Sequence, residues 1–235
     1  MLEIINFSKT YSKGKKAVDD LSLTVNDGEI FGFIGHNGAG KTTTIKSIVG
    51  ILNFEEGDIL IDGKSIKKYP IECKQITAYI PDTPNIYEQL TGIQYLNFIA
   101  DIYKIDYNER KAGIEKYARM FELENRLGDL ISSYSHGMKQ KLIIMSALIR
   151  KPKLLVLDEP FVGLDPKATF LVKEIMKELC KEGVSIFFST HILEVAEKLC
   201  DHVAIIKAGK LVAYGTMDEV KGNKSLEDVF METAK

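Results

Sequence analysis

The chain has 235 residues, 45% of them hydrophobic and 27% charged, with 31 basic and 33 acidic side chains for a formal net charge of −2. An ordinary apolar content with so small a net charge argues against disorder, and the lack of a basic excess argues against a protein that mainly coats nucleic acid. The length predicts one or two domains with a large core.

The opening MLEIINFSKT has no basic segment leading into a long apolar run, so a secretory signal is not expected. LEIINF, LSLTV and DILI (residues 58–61), separated by Gly, Asp and Asn turns, predict an antiparallel layer. Short apolar runs at EIFGFIG (29–35), ITAYI (76–80), KLLVLD (153–158), VSIFFS (184–189) and HVAIIK (202–207) predict buried strands. Helical patterns over 41–52, 166–180 and 192–199 alternate with most of them, which predicts an α/β fold with a parallel sheet covered on both faces. Residues 91–150 are mostly helical, without strong strands. They read as a helical subdomain inserted at about 83–150 within a single domain spanning 1–235. The lysine clusters KGKK (13–16) and KSIKK (64–68) read as solvated turns. Cys73, Cys180 and Cys200 are odd in number and far apart, which suits a reducing, cytosolic compartment better than a disulfide framework. The longest apolar stretches, such as LIIMSALI (142–149), stop short of the roughly 20 residues a spanning helix needs. A soluble chain is expected, and any membrane role would come from a partner.

The strongest motif is GHNGAGKTT, residues 35–43, which follows a predicted strand and opens a predicted helix. Gly35, Gly38 and Gly40 let the backbone curl so that successive amides point inward around phosphate oxygens. The helix adds its positive end. Lys41 supplies a charge for the β- and γ-phosphates, and the Thr42 hydroxyl suits Mg²⁺. The whole loop (Gly35, His36, Asn37, Gly38, Ala39, Gly40, Lys41, Thr42 and Thr43) is the candidate nucleotide-binding set. In KLLVLDEP, Asp158 and Glu159 end an apolar strand, where α/β sheets place their ligands. Asp158 fits a position facing Mg²⁺, and Glu159 fits a general base for an attacking water.

With these motifs in order, the chain resembles the nucleotide-binding subunit of ATP-binding-cassette (ABC) transporters over essentially its full length. The resemblance implies a P-loop NTPase core with a parallel sheet, an N-terminal antiparallel β layer and an inserted α-helical subdomain. It also implies ATP and Mg²⁺ as cofactors. It places Tyr11, in KTYSKGKKAVDDLSL, where an aromatic ring stacks on adenine. The family signature, typically LSGGQ or LSGGM, stands here as YSHGM, with Ser135 and Gly137 retained. His136 departs from the usual glycine; it either widens the loop or adds a proton-sensitive charge near the phosphate. PFVGLDP (160–166) resembles the family's D-loop, and His191 matches the switch histidine that contacts the γ-phosphate. The family's Q-loop glutamine is replaced by Asp82, which can still offer Mg²⁺ a hard oxygen but is shorter and charged.

The resemblance further implies a head-to-tail dimer, with a second copy or a paralogous subunit, in which each P-loop faces the other chain's signature. It implies a polytopic membrane permease that holds the chain peripherally on the cytoplasmic face of the membrane. The ending SLEDVFMETAK, the PDTPNIYEQLTG segment and the GMKQKL variant resemble bacterial exporters and leave no room for the regulatory domain of some importers. The other reading is a soluble ABC ATPase that acts on nucleic acid or ribosomes, or uses ATP as a conformational switch. No nucleic-acid partner is expected, because neither inserted coiled coils nor a second cassette is present.

Overall fold

The computed structural model describes residues 1–11 and 14–234; Ser12, Lys13 (the first lysine of the KGKK cluster) and Lys235 lie outside the described residues. β1 (Leu2–Tyr11) pairs antiparallel with β2 (Lys15–Val25), burying Leu2, Ile4 and Phe7 from the one and Val18, Leu21, Leu23 and Val25 from the other. β3 (Ile30–Ile34) is buried along its whole length, as a strand covered on both faces must be.

α1 (Lys41–Ile48) follows and ends four residues before the predicted limit of 52. Gly50 turns to a φ of +67°, and the amide of Ile51 reaches back to the Lys46 carbonyl at 2.8 Å, closing the helix. β4 (Glu56–Ile61) returns beside β1, and β5 (Lys64–Ser65) adds to its far edge, so the first sheet runs β2-β1-β4-β5. KSIKK is therefore not a free turn. Its Lys67 donates to the Glu55 and Gly57 carbonyls and lies 4.2 Å over the Phe54 ring.

α2 (Pro70–Ile76) and β6 (Thr77–Ile80) lead into three helices, α3 (Gly92–Ile102), α4 (Tyr107–Phe121) and α5 (His136–Leu148). Each starts on an N-cap: Thr91 with Gln94 as a capping box, then Asp106, then Ser135. α5 packs on α3, α4 and β6 and is buried on nearly every side from Gln140 to Leu148. Just beyond it, the Arg150 guanidinium lies 3.4 Å over Tyr103 and donates to the Lys74 and Thr77 carbonyls at 3.0 and 2.6 Å. That side chain pins the ends of α5, α3 and α2 together.

The chain then alternates through β7 (Leu154–Asp158), α6 (Pro166–Lys181), β8 (Ser185–Thr190), α7 (Leu193–Leu199) and β9 (His202–Lys207), close to the predicted limits. β10 (Lys210–Thr216), α8 (Met217–Lys221) and α9 (Leu226–Ala234) complete it. The second sheet runs β10-β9-β3-β8-β7-β6 and is parallel except for β10. Side chains on this sheet alternate between two apolar layers. Ile34, Ile80, Leu155 and Phe188 face the layer that includes α3–α6, whereas Phe33, Val156 and Phe187 face α1 and the antiparallel sheet. At the open edge, the Tyr214 hydroxyl of β10 donates to the Thr24 carbonyl of β2 at 3.1 Å and accepts its N–H at 3.3 Å. The two sheets are thus stitched along one margin. Among the described residues no helix is long and apolar enough to cross a membrane.

Candidate active site at the strand ends

Parallel strands deliver their C-terminal ends to one side, and here four of them carry the candidate residues there. After β3, residues 35–40 curl back before α1 begins. Gly40 caps that helix at φ +114°, and a Cβ on it would stand 2.6 Å from the Ala17 carbonyl oxygen. No side chain caps α1, so its first amides, which lack intrahelical partners, remain directed at the loop. Gly40→Ala is expected to lower stability by about 2 kcal/mol or more, from left-handed strain and that close approach, and to depress the melting temperature by roughly 4–8 °C.

Within the curl, Lys41 is almost fully buried, and its Nζ donates to the Gly35 carbonyl at 2.6 Å. It also stands 3.5 Å from Glu159 Oε1. From the end of β8, His191 Nδ1 lies 3.0 Å from the same carboxylate oxygen. Three candidate residues therefore meet at a single atom. His36, Asn37 and Gly38 form the exposed crest of the loop, whereas Ala39 is buried beneath it. Tyr11, at the end of β1, is exposed rather than packed in the core, and its hydroxyl lies 3.3 Å from Thr43 Oγ1 on the rim.

Asp158 is 1% exposed, with Oδ1 bonded to the Ser189 hydroxyl at 2.5 Å and Oδ2 without a partner among the described residues. Burial pushes its carboxyl above the usual range against the pull of the Ser189 and Thr42 hydroxyls, and the charges of Asp82 and Glu159 push it further. A buried anionic oxygen left unpaired beside a threonine hydroxyl is a pair of hard donors, the chemistry that Mg²⁺ selects. The fit is good. Asp82, in the loop after β6, is exposed, accepts the Thr83 amide at 2.8 Å, and is close enough for its charge to act on Asp158.

Glu159 takes a φ of +48°, strained for a residue with a side chain, and its amide donates to Ser189 Oγ at 3.1 Å. Ser189 thus anchors both acids. Motif reading missed it, although a polar residue closing the apolar run VSIFFS was its signal.

Ser135 and Gly137 stand apart. Ser135 Oγ caps α5 by accepting the Met138 amide at 3.3 Å. Among the described residues, no hydrogen bond or ion pair joins either residue to the Gly35–Thr43 loop.

The profile of the family described as ABC transporter (ABC_tran) matches residues 18–162. The chain is 36% identical over 240 residues to the ABC-type transporter ATP-binding protein EcsA of Bacillus subtilis (strain 168), covering 100% of this chain and 97% of that one. It is also 36% identical over 220 residues to the linearmycin resistance ATP-binding protein LnrL of the same organism, covering 94% of this chain and 70% of that one. A solved ATP binding subunit of an ABC transporter superposes with a TM-score of 0.96 at 37% identity, covering 100% of both chains.

Proposed function

The chain belongs to the ABC transporter family as an ATP-binding, ATP-hydrolysing subunit, and from that premise we propose that it forms a head-to-tail dimer driving export through a separate membrane permease. The observation that carries the reading is the meeting of Lys41, His191 and Glu159 at one carboxylate oxygen beside buried Asp158.

In this reading the amides of residues 35–43 and the end of α1 hold the phosphates, and Tyr11 offers its exposed ring to adenine. Lys41 exchanges the Gly35 carbonyl and Glu159 for phosphate charge. Glu159, released from Lys41, accepts the proton of the attacking water, and His191 holds its carboxylate in place. Ser189 keeps both acids from turning away. Thr42 and Asp158, with Asp82 alongside, would hold Mg²⁺, which when bound neutralises phosphate charge.

Ser135 and Gly137, which among the described residues no hydrogen bond joins to the Gly35–Thr43 loop, suit a phosphate bound by a second copy or a paralogue. We take residues 1–235 as one nucleotide-binding domain with 83–150 as its inserted helical subdomain. A cavity of about 720 Å³ beside Asp82, lined also by Pro81, Tyr103 and Arg150, suits a docked segment of a permease. Such docking would place the chain peripherally on the cytoplasmic face of a membrane. The resistance role in the name of LnrL favours the outward direction.

The deciding experiment recovers the chain from native membranes and identifies what it carries. A polytopic membrane subunit, with ATP turnover in the isolated chain, is the expected result. Turnover stimulated by DNA or RNA in a salt-dependent way, with no membrane subunit recovered, would replace this reading. Asp82→Gln is expected to reduce the permease-dependent rise in turnover more than turnover of the isolated chain, measured on both preparations. Complete loss in the isolated chain would make Asp82 an essential metal ligand instead.

A further inference from the structure

Away from the strand ends, two exposed loops touch. His136, the first residue of α5, lies against Gly163 in the connection between β7 and α6. A Cβ on Gly163 would stand 2.3 Å from His136 Cδ2 and 2.5 Å from Nε2, and Gly163 itself takes a φ of +81°. The imidazole therefore fills space that only glycine leaves open. Gly137 presses on the same residue, since its own Cβ would lie 3.1 Å from the Gly163 carbonyl oxygen. A second tie runs alongside: Lys141 Nζ lies 3.2 Å from Asp165 Oδ2, while Asp165 Oδ1 caps α6 through the Ala168 amide at 2.7 Å.

This connection leads directly back to Glu159. The Val162 amide donates to the Glu159 carbonyl at 3.2 Å, closing a turn over residues 159–162. Within the turn, Phe161 is buried edge-on against Phe188, with ring centroids 6.0 Å apart. The contact between His136 and Gly163 is thus one residue removed from the hydrogen bond that sets the Glu159 backbone. That backbone sits at a φ of +48°, a conformation that persists only where its surroundings enforce it.

We propose that His136 is a positioning residue for Glu159. Its ring, seated on Gly163, braces the 159–165 connection and so sets where the Glu159 carboxylate stands against Lys41 and His191. The inference rests on the proposed function, in which Glu159 is the base. It uses the flat shape of the imidazole and needs no change in its protonation. The imidazole that departs from the family's glycine becomes a mechanical part, matched by a glycine in the facing loop.

Turnover of the full chain, followed against ATP concentration with Mg²⁺ present, tests the proposal. His136→Gly is expected to lower kcat by about fivefold to tenfold, the scale of a slightly misplaced catalytic group, while the half-saturating ATP concentration moves less than about twofold. His136→Phe, which keeps a flat ring, is expected to restore most of kcat. Fluorescent-nucleotide binding and melting temperature, unchanged in both, separate this from misfolding. Gly163→Ala adds backbone strain in any background but collides with the ring only when His136 is present. Its loss of kcat should therefore be several-fold smaller in the His136→Gly background than in the unmodified chain. Equal kcat in His136→Gly and the unmodified chain, or an equal loss from Gly163→Ala in both backgrounds, would overturn the proposal. Absence of turnover in the unmodified chain would overturn the proposed function together with it.

Discussion

Glu159→Gln should bind ATP normally and turn it over about 10²- to 10⁴-fold more slowly, the range in which positioned general bases act. Glutamine keeps the shape of the side chain, and the backbone amide still reaches Ser189. What disappears is the anionic oxygen that stands 3.5 Å from Lys41 and 3.0 Å from His191. Without it the site loses the carboxylate that, in the proposed function, takes the proton of an attacking water. The same change removes a negative charge facing the incoming triphosphate, so nucleotide affinity should hold or rise. Hydrolysis is what would release the closed dimer, so the variant should accumulate in that form with Mg-ATP. Light scattering would then report a doubled mass that the unmodified chain shows only transiently. Turnover equal to that of the unmodified chain would remove Glu159 from the role of base.

Asp158→Asn separates function from stability. Turnover should fall by about 10²-fold or more, because in the proposed function the Asp158 carboxylate, whose Oδ2 has no partner among the described residues, is what would hold Mg²⁺. Stability should move the other way. Burial raises the Asp158 pKa in the folded chain, so its contribution favours folding below the usual carboxylate range. That contribution is lost as the pH rises and the folded state has to carry the ionised form. Asparagine carries no such charge. At pH 7, without nucleotide or metal, the variant should gain about 1 kcal/mol and melt roughly 2–4 °C higher. The gain should shrink as the pH falls towards about 4, where aspartate protonates in the unfolded chain too. Adding Mg-ATP should raise the melting temperature of the unmodified chain much more than that of the variant. Thermal melts across pH, with and without Mg-ATP, read both effects, and a variant less stable at neutral pH would contradict the assignment.

Most of this site could be read from the chain because its chemistry is local. The Gly35–Thr43 loop and the Asp158–Glu159 pair are contiguous motifs at strand ends, where the backbone alone decides what can be reached. The parallel strands were legible for a related reason, since strands buried on both faces stand out as unbroken apolar runs. β10 was not, because an edge strand alternates exposed and half-buried residues, as Lys210 to Tyr214 do. The helix predicted through 52 overshot because Gly50 turns to a left-handed φ of +67°, which an apolar periodicity does not register. Tyr11 was found through resemblance, but its place on the rim depends on where β1 ends relative to α1. The meeting of His136 with Gly163 lay beyond any pattern. It exists only because the helices between β6 and β7 bring the start of α5 back to the connection after β7.

Tyr214 has a consequence beyond joining two sheets. An outermost strand normally offers a row of free amides and carbonyls to any passing chain. On β10, the phenol hydroxyl engages both the amide and the carbonyl of Thr24, holding the antiparallel layer against that margin. With the neighbouring layer held across it in this way, the margin is guarded against pairing with a passing strand, and so against aggregation along this edge.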